Sequence, residues 1–251
     1  MSNSTPESTP DASPPLWHHH RLQLRTTLGA LALDIDLDVT RNWTVIFGAS
    51  GSGKSTILRA LAGLLPNAHP RLIRQDDDRN EQDLTHTPPR DRHIAYAPQQ
   101  PSLFPHLNVA DNVAFAQKLS SSSAASEQNI HDAIKLFRLD NIINRYPKNL
   151  SGGERQRVNL ARAFCVPNPQ LMLLDEPFSG IDRPLRDTIL PELRETLRLS
   201  GVPVVSVTHD VEEAFRLQAE VVILRDGRIV NQGYVSRVLA EERLSVLNAL
   251  R

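Results

Sequence analysis

Leu22 and Leu24, then Leu31, Leu33, Ile35 and Leu37, alternate with polar residues. A period of two puts such side chains on one face of a pleated strand, so this stretch predicts half-buried antiparallel strands. The pattern then changes. Thr44-Val45-Ile46-Phe47 is a short apolar run, and Ser55 to Leu65 carries Ile57, Leu58, Leu61 and Leu65 at helical spacing, with a glycine-rich turn between the two. Residues 66 to 92 are polar and acid-rich, which suits a solvated loop or ragged edge strands. Val109 to Leu119 and Ser126 to Leu139 read as helices split by a Ser/Ala-rich joint, with Ser126 as an N-cap. Leu171 to Leu174, Val204 to Val207 and Val221 to Leu224 are largely apolar, as strands covered on both faces should be. Strands alternating with helices predict an α/β fold with a mostly parallel core sheet. A small antiparallel β subdomain opens it and an α-helical subdomain at about 100–165 is set into it.

Composition narrows the setting. Residues 1–16 are mostly Ser, Thr, Pro, Asp and Glu and predict a disordered tail, leaving 17–251 as the folded domain. His18, His19 and His20 are assigned no metal role, because neighbours on a strand point to opposite faces. A formal net charge of −1 gives no overall pull towards nucleic acid, and none is expected as a partner. Cys165 is the only cysteine, so neither an internal disulfide nor a paired-cysteine zinc site can form, and a reducing cytoplasm fits. No apolar run approaches the ~20 residues that span a bilayer, and the N-terminus lacks the basic-then-apolar order of a signal peptide. Work at a membrane would need another chain to supply the pore.

Three segments carry chemistry. Gly48-Ala49-Ser50-Gly51-Ser52-Gly53-Lys54-Ser55 has the G-x-x-x-x-G-K-[ST] spacing and sits between the strand and the helix that this loop requires. Its glycines let successive N–H groups face a polyphosphate, Lys54 can reach the β- and γ-phosphates, and Ser55 can ligate Mg²⁺; Thr56 is counted with the loop. Leu171 to Glu176 is an apolar strand ending in two carboxylates. Asp175 is placed to hold Mg²⁺, and Glu176 to orient and deprotonate an attacking water. Leu150-Ser151-Gly152-Gly153-Glu154-Arg155-Gln156 again offers small residues and free amides before a helix, expected over Glu154 to Phe164. One chain therefore holds two anion-binding helix starts.

The run LSGGERQR resembles the signature motif of the ATP-binding-cassette (ABC) ATPases, a P-loop NTPase family, and the other family marks follow in order. Gln99 resembles the glutamine that in the family touches Mg²⁺ and the attacking water. Asp182, in Gly180-Ile181-Asp182, resembles the D-loop aspartate. His209, in Thr208-His209-Asp210, resembles the switch histidine at the γ-phosphate. The resemblance covers about Leu22 to Gly233. It implies ATP and Mg²⁺ as ligands, and a head-to-tail homodimer in which two ATP are each held by Lys54 of one copy and Ser151, Gly152 and Gly153 of the other.

The resemblance also implies membrane permease subunits as partners, indirectly a solute-binding protein, and a place on the cytoplasmic face of the cell membrane. A single phosphate loop argues against two fused cassettes, and no long heptads or cysteine cluster lie between it and the signature, unlike in chromosome-maintenance relatives. Leu103-Phe104-Pro105-His106-Leu107, Asn112 and the Leu190 to Leu193 segment are similar to molybdate-importer ATPases. Importers of ferric iron, sulfate or polyamines, and a soluble non-transport ABC ATPase, are the alternatives. Two departures stand out. Leu24-Arg25-Thr26 offers no ring for adenine, which leaves Trp17 or Arg25 as candidates. An amphipathic helix is expected over Val235 to Leu250, where molybdate-type relatives often carry a regulatory domain, so regulation of that kind is not expected.

Overall fold

The computed structural model describes residues 19–65, 68, 70–76, 78–118 and 124–240. The predicted tail, Trp17, His18, most of the Ser/Ala-rich joint and the part of the expected C-terminal helix beyond residue 240 lie outside the described residues. Strands β1 (His19–Leu28) and β2 (Leu31–Val39) pair antiparallel, with Leu22 opposite Leu37 and Leu24 opposite Ile35. Leu22, Leu24, Leu33, Ile35 and Leu37 are buried and Leu31 partly so, while Arg21 and Asp36 meet on the outer face at 2.9 Å.

β3 (Trp43–Gly48) runs into the glycine loop and helix α1 (Lys54–Leu61). The helix stops short of the expected Leu65. Gly63 supplies the reason: it is left-handed at φ 73°, its N–H donates to the Ala60 carbonyl at 3.1 Å and the Leu64 N–H to that of Arg59 at 2.8 Å, while the Arg92 guanidinium adds bonds to the Ala60 and Leu61 carbonyls at 3.3 and 3.0 Å. Within the polar stretch, β4 (Arg71–Gln75) pairs antiparallel with β1, and the exposed β5 (Glu81–Asp83) adds to β4. The region thus forms strands at the edge of the sheet, with β5 outermost.

β6 (Ile94–Ala97) precedes α2 (Val109–Lys118), α3 (Ala124–Leu136) and α4 (Gly152–Phe164). α3 starts before Ser126, which therefore lies inside the helix and is not its cap, and ends before Leu139. α4 begins two residues earlier than expected, because Ser151 and Glu154 form a reciprocal capping box: Glu154 N–H donates to Ser151 Oγ at 3.2 Å and Ser151 N–H to Glu154 Oε2 at 2.7 Å. The remaining elements are β7 (Leu171–Asp175), α5 (Arg183–Ser200), β8 (Val204–Val207), α6 (Val211–Leu217), β9 (Glu220–Arg225), β10 (Arg228–Tyr234) and α7 (Val235–Val238).

One ten-stranded sheet runs β5-β4-β1-β2-β10-β9-β3-β8-β7-β6 among the described residues. β9, β3, β8, β7 and β6 are parallel neighbours and form the core; β1, β2, β4 and β5 make the antiparallel portion, joined through β10. The core strands are largely apolar because successive residues feed two separate cores. Ile46, Leu171, Leu173 and Val205 pack with α1 and the β1–β2 hairpin, whereas Val45, Met172, Leu174 and Val204 pack with α2 to α6. The phosphate loop leaves the end of β3, and Asp175 ends β7, the parallel strand on the far side of β8. Functional groups at the carboxyl ends of parallel strands are the general arrangement for ligand sites in such sheets.

Candidate active site

The glycine loop from Gly48 to Ser52 forms one wall of a cleft of about 370 Å³, which Leu31, Phe47, Ile223, Leu224 and Arg225 also line. Gly53 stands at the N-cap of α1 with φ 101°, and a Cβ there would lie 2.6 Å from Leu33 Cδ2, so only glycine lets the loop enter the helix at this point. Lys54 donates to the carbonyls of Gly48 and Ala49 at 2.9 and 2.8 Å. Burial holds its ammonium pKa below the ordinary lysine value, opposed by the nearby Glu176 and Asp175.

Ser55 Oγ donates to Asp175 Oδ1 at 2.9 Å, which joins the loop to the end of β7. Tyr96, on β6, brings its hydroxyl to 3.5 Å from Asp175 Oδ2. Burial raises the Asp175 carboxyl above the usual aspartate range, countered by the Ser55 hydroxyl and reinforced by Glu176. Burial, with Asp175 nearby, pushes the Tyr96 phenol up to about 12. Tyr96 escaped the sequence reading, although its place on a strand paired in parallel with β7 is what brings it to the carboxylate.

Glu176 follows Asp175 with φ 46°, a left-handed conformation that costs a non-glycine residue on the order of 1–3 kcal/mol. Its N–H donates to the carbonyl of Val207 at 3.0 Å, and its own carbonyl accepts from Ser179 N–H at 3.1 Å and from Gln156 Nε2 at 3.3 Å. Glu176 Oε1 stands 3.5 Å from His209 Nδ1, a charge pair only when the imidazole is protonated. The segment that carries His209 is braced behind: Asp210 caps α6 through Glu213 N–H and accepts from Arg186 at 2.6 Å.

The other sequence-predicted residues lie on the surface. Gln99 is exposed in the turn after β6, and Asp182 caps α5 by accepting from Leu185 N–H at 3.3 Å. Ser151 and Gly152 are exposed at the start of α4. The Ser151 N–H, chief among several contacts, holds the Glu154 carboxyl below its ordinary range. Arg25, a candidate for the adenine, pairs with Asp34 at 2.8 Å on the outer face of the hairpin and is not among the residues lining the phosphate-loop cleft.

A phosphate loop bonded to the end of a carboxylate-bearing strand, with a glycine-rich helix start in the same chain, is accompanied by a match of residues 33–179 to the ABC transporter family. The chain belongs to this family. The cassette is 34% identical to a molybdate/tungstate import ATP-binding protein from Archaeoglobus fulgidus, over 92% of this chain and 93% of that one. It is 39% identical to a sulfate/thiosulfate import ATP-binding protein from Agrobacterium fabrum, over 84% of this chain but only 62% of that relative's length. Further relatives of similar identity are named for spermidine/putrescine and Fe(3+) import. A solved structure described as an ATP-binding subunit of an ABC transporter superposes with a TM-score of 0.74 at 26% identity, covering 90% of this cassette and 93% of that chain. Among the described residues no helix is long and apolar enough to cross a membrane.

Proposed function

We propose that this cassette binds and hydrolyses ATP to energise an ABC importer, as a homodimer on the cytoplasmic face of the membrane and docked to permease subunits. The observation that carries the reading is the 2.9 Å bond between Ser55 and Asp175, with Glu176 and His209 beside it. This gathers a phosphate cradle, a hard-oxygen pair and a base at one end of the sheet. Ser55 and Asp175 offer oxygen ligands of the type that Mg²⁺ takes, with Gln99 as a further ligand from the exposed turn. Mg²⁺ held by these residues would supply positive charge to offset that of the phosphates.

The chain's own residues do the rest. Loop amides and Lys54 hold the triphosphate. Glu176 accepts a proton from water as the water oxygen attacks the γ-phosphorus, the bond from that phosphorus to the bridging oxygen breaks, and ADP and phosphate leave. His209 contacts the γ-phosphate and, with Glu176 at 3.5 Å, keeps the base directed at it. Ser151, Gly152, Gly153 and Asp182 close over the nucleotide held by the other copy, so ATP favours the closed pair and hydrolysis releases it. We take residues 100–165 as the helical subdomain that meets the permease, with the Gln99 to His106 segment at the joint.

For the solute we favour an oxyanion such as molybdate. The combined likeness of Thr44 to Gly48, Leu103 to Leu107 with Asn112, and Leu190 to Leu193 to molybdate-importer ATPases supports this, as does the near full-length match to a molybdate/tungstate import protein. Co-purifying the membrane partner and measuring ATP-dependent uptake of molybdate, sulfate, ferric iron and polyamines tests the proposal. Uptake of molybdate is expected; uptake of a polyamine alone overturns the solute, and absence of ATP hydrolysis overturns the whole reading.

A further inference from the structure

Two peptide planes meet at the Cα of Glu176, and each is gripped by a different element. The plane before it is held through the Glu176 N–H, which donates to Val207 O on β8 at 3.0 Å. The plane after it is held through the Glu176 carbonyl, which accepts from Ser179 N–H at 3.1 Å and from the side chain of Gln156 at 3.3 Å. The same Gln156 amide nitrogen donates to the Pro177 carbonyl at 3.1 Å, so its two protons serve consecutive carbonyls. Gln156 is 3% exposed and lies on the second turn of α4, the helix that opens on Ser151, Gly152 and Gly153. Glu176 occupies a left-handed conformation that its own side chain disfavours, and such a conformation persists only where the surroundings over-determine it.

We propose that Gln156 is a positioning residue for Glu176: by pinning the carbonyls of Glu176 and Pro177 to α4, it fixes the direction of the Glu176 Cα–Cβ bond and hence of the carboxylate towards the attacked phosphate. The inference rests on the reading of Glu176 as general base. Without the amide, the plane after Glu176 keeps only the Ser179 contact, one turn further along the same loop, and the backbone can relax out of the left-handed region. The carboxylate then swings away while the phosphate loop, on α1 and β3, stays as it was. The helix that grips the other copy's nucleotide thereby also sets the base of its own copy.

The test uses the full chain with MgATP and compares Gln156→Met, Gln156→Glu and Glu176→Gln with wild type. Gln156→Met keeps the length but has no donor; Gln156→Glu keeps the shape, turns an acceptor towards the two carbonyls, and carries the same test should Gln156→Met fail to fold, as judged by circular dichroism. For the Gln156 variants kcat is expected to fall roughly 10–100-fold with KM nearly unchanged, the pattern of a misplaced catalytic group and not of a weakened binding site. Loss confined to KM, or wild-type kcat in a folded Gln156 variant while Glu176→Gln is inactive, overturns the proposal alone. Wild-type turnover in Glu176→Gln removes the base assignment, and this proposal falls with it.

Discussion

Gly153 lies so close to Gly180 that a Cβ added to Gly153 would stand 2.6 Å from the Gly180 carbonyl oxygen. The start of α4 is thus packed against the loop that leads to Asp182. Two of the segments proposed to close over the other copy's nucleotide are held to each other within one chain. Gly152, next to it, has nothing within 4 Å of where a Cβ would be.

The two glycines should therefore answer differently to alanine. Gly153→Ala is expected to destabilise the isolated chain, since backbone must shift to clear the contact, by about 1–3 kcal/mol in urea denaturation. Gly152→Ala should leave stability within about 0.5 kcal/mol yet reduce ATP hydrolysis and ATP-dependent pairing, because the space it fills is needed by the partner's nucleotide. Full activity in Gly152→Ala would argue that this surface never meets a nucleotide.

Glu176→Gln is expected to bind ATP as wild type does while turnover drops by about two to four orders of magnitude, the usual worth of a general base. With hydrolysis blocked, an ATP-dependent dimer should accumulate and be visible by size-exclusion chromatography with light scattering. A monomer at saturating ATP would contradict the paired-cassette reading.

Glu213 introduces a pH dependence of stability. Burial pushes its carboxyl up from 4.5 to about 8, with Asp210 and the more distant Glu176 adding to the shift and Arg186 and the Thr208 hydroxyl opposing it. Between those two values the folded chain retains a proton that the unfolded chain has released, so raising the pH favours unfolding, by up to about 1.4 kcal/mol per pH unit. Glu213→Gln mimics the protonated form and should flatten this decline. Chemical denaturation at several pH values within the window checks it, and an unchanged slope in the variant would assign the dependence to another group.

Asn112 is fully buried and makes four hydrogen bonds to the backbone of the Phe104 to Asn108 turn: its Oδ1 accepts from Phe104 N–H at 2.8 Å, and its Nδ2 donates to the carbonyls of Phe104, Leu107 and Asn108 at 3.2, 3.0 and 2.9 Å. Asn112→Ala strands these partners and should cost about 1–3 kcal/mol. Greater proteolytic cleavage within this turn than elsewhere would locate the effect; uniform loss of stability with the turn intact would refute it.

Much of the architecture was legible because its signals are local. Leu22 to Leu37 declares its pairing by a period of two, and the central strands by largely apolar runs. What escaped is polar or remote. β5 has three exposed residues and no hydrophobic pattern to read, and β4 is held mainly by its pairing to β1. The end of α1 is turned by Gly63 and braced by Arg92, more than thirty positions beyond the helix, and the start of α4 is set by a capping box in which Ser151 and Glu154 satisfy each other.

The residue sequence alone determined the chemistry on offer: a glycine loop ending in Lys54 and Ser55, a strand ending in Asp175 and Glu176, and a second helix start at Ser151. Spacing within a few positions is enough to specify each of these, because backbone curvature and strand periodicity act over that range. Tertiary structure alone decided how they meet. Ser55 and Asp175 are 120 positions apart and touch only because β3, β8 and β7 run parallel in one sheet, which brings their carboxyl ends to the same edge. Gln156 reaches Glu176 across twenty positions, and it does so because α4 packs under the loop that follows β7, a relationship between faces that no local pattern encodes.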